Sequence, residues 1–260
     1  MEPKLSELED LARGAGEILR GGFRTGLDVK YKGETDLVTE MDYKSEEFLL
    51  RSIRARYPDH SVITEESGEI DGMRSHQWLM DPLDGTTNYS HGLPIYAVSL
   101  AYARDGRVQL GVVYDPSMDV CYSAERGGGA WVDGIRLQVS GATSLDKSLL
   151  TTGFPYYVRT NPDNNLDHYA HFAVRSVAVR RLGSAALDLC YVAAGNFDGY
   201  WELSLGAWDL AAGALLVEEA GGVVTRIDGE PDYLLPPYSV IAGNVAIHAL
   251  LLEYFQNNHQ

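Results

Sequence analysis

Trp78-Leu79-Met80-Asp81-Pro82-Leu83-Asp84-Gly85-Thr86-Thr87-Asn88 reads as a strand that breaks into a helix. The apolar run delivers Asp81 to the strand's end, Pro82 has no N–H to continue a hydrogen-bond ladder, and Gly85-Thr86-Thr87 has the character of a helix start. Two carboxylates thereby lie beside backbone N–H groups that no preceding turn satisfies. Asp81 and Asp84 offer hard oxygen ligands of the kind Mg²⁺ takes, and the N–H groups of Gly85 and Thr86 can hold phosphate oxygens. By itself the stretch could equally be a tight turn in which Asp84 caps the helix.

Around it, short β runs follow one another: Ser61 to Glu65, Tyr96 to Ala103, Val108 to Tyr114, Val120 to Ala124 and Ala130 to Val139. Asp105-Gly106, Asp115-Pro116, Gly127-Gly128-Gly129 and Asp133-Gly134 punctuate them, as in an antiparallel meander. Before them come two helical patterns. Ser6 and Glu9 form a capping-box signal ahead of Leu8, Leu11, Ala12, Ala15, Ile18 and Leu19, and Gly21-Gly22 stops that helix; the second runs from about Asp42 to Tyr57, with Pro58 just beyond.

After about Gly141 strands and helices alternate. Strands are expected at Ser148 to Thr152, Val177 to Arg180, Asp198 to Glu202, Val223 to Ile227 and Ser239 to Ala242. Helices are expected near Asp163 to Val174, Ser184 to Ala194, Ala207 to Glu219 and Asn244 to Phe255. The expected fold is α+β / α/β, a layered α-β-α-β-α sandwich. Residues 1–142 would form an antiparallel sheet with two helices, and residues 143–260 a second, mixed sheet with helices, together one catalytic unit.

A chain of 260 residues with 45% hydrophobic and 22% charged content has the balance of a soluble globular enzyme. Its 21 Lys and Arg against 37 Asp and Glu give a net charge of -16, which argues against sequence-independent nucleic-acid binding. Cys121 and Cys190 stand far apart in sequence, so neither a disulfide framework nor a thiolate metal site is indicated. No run of about 18 apolar residues occurs, and a cytoplasmic protein without membrane contact is expected.

Further acids bear on the Asp81–Asp84 pair. Glu65 and Glu66 follow a β run, and Asp209 begins a helix in Ala207-Trp208-Asp209-Leu210. Alone, each has an ordinary explanation: a solvated strand end, and a favourable charge in a helix's first turn. If they converge, two carboxylates about 4 Å apart repel by roughly 4 kcal/mol at an effective dielectric near 20, so the cluster would need divalent cations.

In order along the chain, Asp36-Leu37-Val38-Thr39-Glu40-Met41-Asp42, Glu65-Glu66-Ser67, Asp81 to Thr87, Gly183-Ser184-Ala185 and Trp208-Asp209, with Glu218 and Ala220-Gly221-Gly222 following, resemble the inositol monophosphatase family of metal-dependent, lithium-sensitive phosphatases. The resemblance implies that Glu65, Asp81 and the Leu83 carbonyl hold one Mg²⁺ and that Asp81, Asp84 and Asp209 hold a second. A third, looser ion would lie near Glu65. The family usually has Ile at Leu83, a change without consequence where only the carbonyl is used. Thr86 and Asp42 match the pair that orients and deprotonates the attacking water, so Asp42, Thr86 and Glu65 are the catalytic candidates. Asp42 could also serve as a helix cap, and the two roles are compatible. The family often has a Lys before the Asp-Leu-Val-Thr motif; Lys32 is the closer match and Lys30 the other.

The resemblance further implies in-line attack of metal-activated water on phosphorus without a phosphoenzyme. Glu202 corresponds to a glutamate that accepts hydroxyl hydrogen bonds, and Gly183, Ser184 and Ala185 to the segment lining that pocket. The expected substrate is a small sugar or polyol phosphate, inositol 1-phosphate first. Relatives also hydrolyse fructose 1,6-bisphosphate, adenosine 3′,5′-bisphosphate, NADP or histidinol phosphate. A homodimer is implied, and because one bacterial relative acts with the transcription machinery, a binding function stays open. His168 and His171, at i and i+3 without acidic or Cys partners, read as a surface pair rather than a zinc site. Gly127-Gly128-Gly129 reads as a hairpin turn rather than a phosphate loop.

Overall fold

The computed structural model describes residues 2–25, 29–31 (backbone), 37–162 and 164–258. Helices α1 (Leu5–Gly22) and α2 (Glu40–Arg56) flank a ribbon of β1 (Val29–Tyr31) and β2 (Leu37–Thr39). There follow β3 (His60–Thr64), β4 (Gly68–Ile70), β5 (Met73–Asp84), the short helix α3 (Thr86–Ser90), β6 (Ala97–Arg104), β7 (Arg107–Asp115), β8 (Val120–Glu125), β9 (Gly129–Val132) and β10 (Ile135–Arg136). The remaining elements are β11 (Leu149–Thr152), α4 (Leu166–Ala173), β12 (Ala178–Arg180), α5 (Ala185–Ala193), β13 (Gly199–Leu203), α6 (Ala207–Glu219), β14 (Val223–Thr225), β15 (Ser239–Gly243) and α7 (Val245–Asn258). Lys32, Asp36 and Asp163 lie outside the described residues, as does the side chain of Lys30.

The expected five-layer order is present. An eight-stranded sheet, β10-β9-β8-β7-β6-β5-β3-β4, carries α1 and α2 on one face and α6 on the other. Helices α5 and α6 lie between it and a five-stranded sheet, β12-β11-β13-β15-β14, whose outer face carries α7. Sequence chemistry explains the placement. In α1, Leu8, Ala12, Ala15 and Leu19 share one stripe and are fully buried. In α6 nearly every residue from Leu210 to Val217 is apolar and buried, as a helix packed between two sheets requires. Gly111 of β7 allows that approach, because a Cβ there would sit 2.9 Å from the Ala212 carbonyl oxygen.

Three expectations need correction. The meander is antiparallel from β5 to β10, but β3 pairs parallel to β5, because the β3–β4 hairpin reverses the chain before β5 returns alongside β3. The α1 cap is Lys4, whose N–H donates to Glu7 Oε2 at 2.8 Å, rather than Ser6 with Glu9. The helix expected near Asp163 begins at Leu166. The Gly127-Gly128-Gly129 segment is the β8–β9 turn, its Gly127 and Gly129 N–H groups donating to the Glu219 carboxylate at 2.8 and 2.9 Å. His168 and His171 pack against Tyr254.

Candidate active site

Pro82 does not end β5. The strand pairs Asp81 with Ser99, skips register, and resumes with Asp84 opposite Ala97, so Pro82 and Leu83 sit in a bulge. A bulge is where a strand tolerates a residue that cannot donate to the ladder. It is held from three sides. Asp81 Oδ1 accepts the Leu83 N–H at 2.9 Å, the Ser45 hydroxyl of α2 donates to the Pro82 carbonyl at 2.8 Å, and the Thr86 hydroxyl lies 3.0 Å from the Leu83 carbonyl. Gly85 then turns the chain at φ 93°, a left-handed conformation that a side chain would strain, and α3 begins.

The bulge and the start of α6 bring Asp81, Asp84 and Asp209 together, each contributing an oxygen within 4.8 Å of the others. Asp84 accepts from the Ser184 hydroxyl at 2.5 Å and from the Ala185 and Ala186 N–H groups at 3.3 and 2.8 Å, which ties it to the first turn of α5. Asp209 accepts the Gly206 N–H at 2.6 Å, so the helix-start role and the site role coexist in one side chain. Burial pushes all three carboxyls up: Asp84 to about 6, Asp81 and Asp209 well above the usual carboxylate range. Neighbouring charges add to the effect, those of Glu65, Asp84 and Asp209 on Asp81, and those of Asp84, Glu65 and Glu202 on Asp209.

Repulsion at that separation is on the order of 3 kcal/mol per pair at an effective dielectric near 20. No ion pair among the described residues neutralises any of the three. An all-oxygen donor set with unbalanced negative charge fits a hard divalent cation. Glu65 is not in this tight cluster but lines the same cavity of about 370 Å³, with Leu83, Gly85, Thr86, Trp208 and Tyr238.

Thr86 joins this cavity to α2. Its hydroxyl lies 3.0 Å from Asp42 Oδ1, while Asp42 Oδ2 accepts the Thr39 N–H at 2.8 Å and the Thr39 hydroxyl at 2.6 Å. The cap of α2 is therefore Thr39, and Asp42 is its acidic partner three residues on, with one oxygen left for Thr86. Burial pushes the Asp42 carboxyl up, opposed by those hydrogen bonds.

A second cavity of about 100 Å³ shares Asp84, Gly85, Thr86 and Asp209 with the first and is lined further by Gly183, Ser184, Ala185, Arg181 and Glu202. Glu202 accepts the Tyr200 hydroxyl at 2.5 Å, and burial pushes its carboxyl up to about 7. The residues read as substrate candidates thus surround one space, although Ser184 and Ala185 also bind Asp84. Sequence reading missed Arg181, Tyr156, Ser204 and Tyr238 in these walls, because none belongs to a patterned motif. It also missed Glu46, whose only sequence signal is its position one helical turn after Asp42.

Fold and site together define a class: two-sheet layered proteins that gather buried carboxylates able to hold a divalent cation, beside a second, smaller cavity. The inositol monophosphatase family model matches residues 1–260. A relative named inositol-1-monophosphatase, from Mesorhizobium japonicum, is 44% identical over 94% of this chain and 89% of its own length. Nus factor SuhB of Pasteurella multocida is 44% identical over 96% of this chain and 95% of its own. The crystal structure of extragenic suppressor protein suhB from Bartonella henselae superposes with a TM-score of 0.90 at 37% identity, covering 96% of this chain and 97% of that one. This chain belongs to the inositol monophosphatase family and is a phosphatase.

Proposed function

We propose that this protein hydrolyses small polyol phosphates, inositol 1-phosphate foremost, with Mg²⁺. The observation that carries the reading is the meeting of two cavities at Asp84, Thr86 and Asp209: Asp81 lines the first, Glu202 the second, and Asp42 is hydrogen-bonded to Thr86. Asp81, Asp84 and Asp209 would hold one Mg²⁺, and Glu65 with Asp81 and the Leu83 carbonyl another. Bound there, the ions supply charge neutralisation and bring the pKa of water toward about 7.

The chain's own residues do the rest. The Thr86 hydroxyl lies 3.0 Å from both Asp42 Oδ1 and the Leu83 carbonyl; when its one proton is given to Asp42, its oxygen can accept from a water, whose proton passes through Thr86 to Asp42. That water attacks phosphorus in line as the bond to the alcohol oxygen breaks and the alcohol leaves with a proton from solvent. The N–H groups of Gly85 and Thr86 face the phosphate, and Glu202 accepts hydroxyl hydrogens of the polyol. No phosphorylated residue forms.

Initial rates on inositol 1-phosphate, fructose 1,6-bisphosphate, adenosine 3′,5′-bisphosphate, NADP and histidinol phosphate with Mg²⁺ test the reading. Inositol 1-phosphate is expected to have the highest kcat/KM, with inhibition by lithium. A win for another substrate by about a hundredfold, the scale on which a pocket discriminates, overturns it. A second reading, attachment to the transcription machinery, is favoured by the Pasteurella relative's name. Retention of RNA polymerase by an Asp84→Asn variant in a pulldown would separate that role from catalysis.

A further inference from the structure

One face of α2 reaches three separate parts of the site. Asp42 contacts Thr86, Ser45 holds the Pro82 carbonyl, and Glu46, also buried, reaches the turn that carries Glu65. The spacing of i, i+3 and i+4 puts all three on one stripe of the helix. Glu46 Oε2 accepts the Thr64 hydroxyl at 2.6 Å and the Glu66 N–H at 3.2 Å, and Oε1 accepts the Ser67 hydroxyl.

These donors bracket Glu65 on both sides. Glu65 stands in the turn between these anchored residues and lines the cavity shared with Asp81 and Asp209. Packing alone does not call for an acid at position 46, because a buried carboxylate costs several kcal/mol unless donors surround it. Here the donors come from the residues before and after Glu65.

We propose that Glu46 is a positioning residue that clamps the Thr64–Ser67 turn and thereby presents Glu65 to a divalent cation. It rests on the reading of Glu65 as a cation ligand. Its action is on cation affinity, not on the reacting atoms.

Calorimetric titration of the whole protein with Mg²⁺, alongside the Mg²⁺ dependence of the rate, tests it. Glu46→Gln is expected to weaken the cation site by about tenfold, the usual scale for an outer support of a metal ligand, and to raise the Mg²⁺ needed for half-maximal rate in proportion. At saturating Mg²⁺, kcat and the substrate KM stay near wild type. Glu46→Asp, which keeps the charge but retracts it, recovers part of the affinity. The double variant Glu46→Gln/Glu65→Gln binds Mg²⁺ no more weakly than Glu65→Gln alone, because the clamp acts only through Glu65.

Additive losses in the double variant, or unchanged Mg²⁺ affinity in Glu46→Gln beside a weakened Glu65→Gln, overturn the clamp and leave Glu65 a ligand. Unchanged affinity in Glu65→Gln overturns the ligand reading, and the clamp with it. Should Glu46→Gln fail to fold, Ser67→Ala removes one donor in its place. A weakened titration then supports the clamp, and an unchanged one overturns it.

Discussion

Glu202 and Thr86 border the same space and are expected to fail differently when changed. Burial, with Asp84's charge adding, puts the Glu202 carboxyl at about 7, so it is protonated in mildly acidic solution and becomes an acceptor-only carboxylate as pH rises through neutrality. If it accepts polyol hydroxyls, the KM for inositol 1-phosphate falls between about pH 6 and 8, because hydrogen bonds to charged groups are the stronger ones. Glu202→Gln does not titrate; its KM is expected to rise about tenfold and to lose that slope, measured as KM against pH for both proteins. Thr86→Val removes the link between water and Asp42 but no cation ligand. It is expected to lower kcat by about 10²–10⁴, with Mg²⁺ affinity changing by far less.

At the level of elements, the decisive joint is the passage from β5 to α3. A Cβ on Gly85 would stand 2.9 Å from the Ile95 carbonyl oxygen and 3.3 Å from that of Gly183, at a backbone angle of 93°. Gly85→Ala is therefore expected to destabilise the protein by about 1–3 kcal/mol in urea unfolding, and to lower activity by displacing Asp84 and Thr86. This joint was only half legible beforehand. Gly85-Thr86 announced the turn, but Pro82 suggested that pairing stops at Asp81, because the rule that proline lacks a ladder donor does not reveal that a bulge absorbs it. The strand and helix order was legible because apolar periodicity and Gly or Asp-Gly turns are local signals. The parallel pairing of β3 with β5 was not, because it depends on which edge a returning strand takes. The same divide runs through the site. Asp81, Asp84 and Asp209 stand in motifs, whereas Glu46 earns its place only through contacts 18 to 21 residues away in sequence.

Across the whole molecule, a net charge of -16 and a buried carboxylate cluster both make the metal-free protein sensitive to pH, and salt can separate them. Asp84 has an ordinary value of 3.8 and about 6 in the fold, with Asp81 and Asp209 also raised. Between those values the folded protein binds more protons than the unfolded chain, so stability falls as pH rises through the window. A shift of this size in one buried group corresponds to on the order of 3 kcal/mol. About half of that remains to be lost above pH 5, so in EDTA the melting temperature is expected to be roughly 3–6 °C higher at pH 5 than at pH 8, with Asp81 and Asp209 acting in the same direction. Surface repulsion has the same sign, but 1 M NaCl shortens the screening length to about 3 Å and removes most of it, while the buried cluster is screened far less. The difference is therefore expected to persist in 1 M NaCl and to close when Mg²⁺ is added at pH 8, with little effect of Mg²⁺ at pH 5, where the carboxylates hold protons instead. Asp209→Asn, which removes one of the three charges, should flatten the metal-free profile. A melting temperature in EDTA that is level from pH 5 to 8, or that levels in 1 M NaCl, would show that surface charge alone sets the pH response.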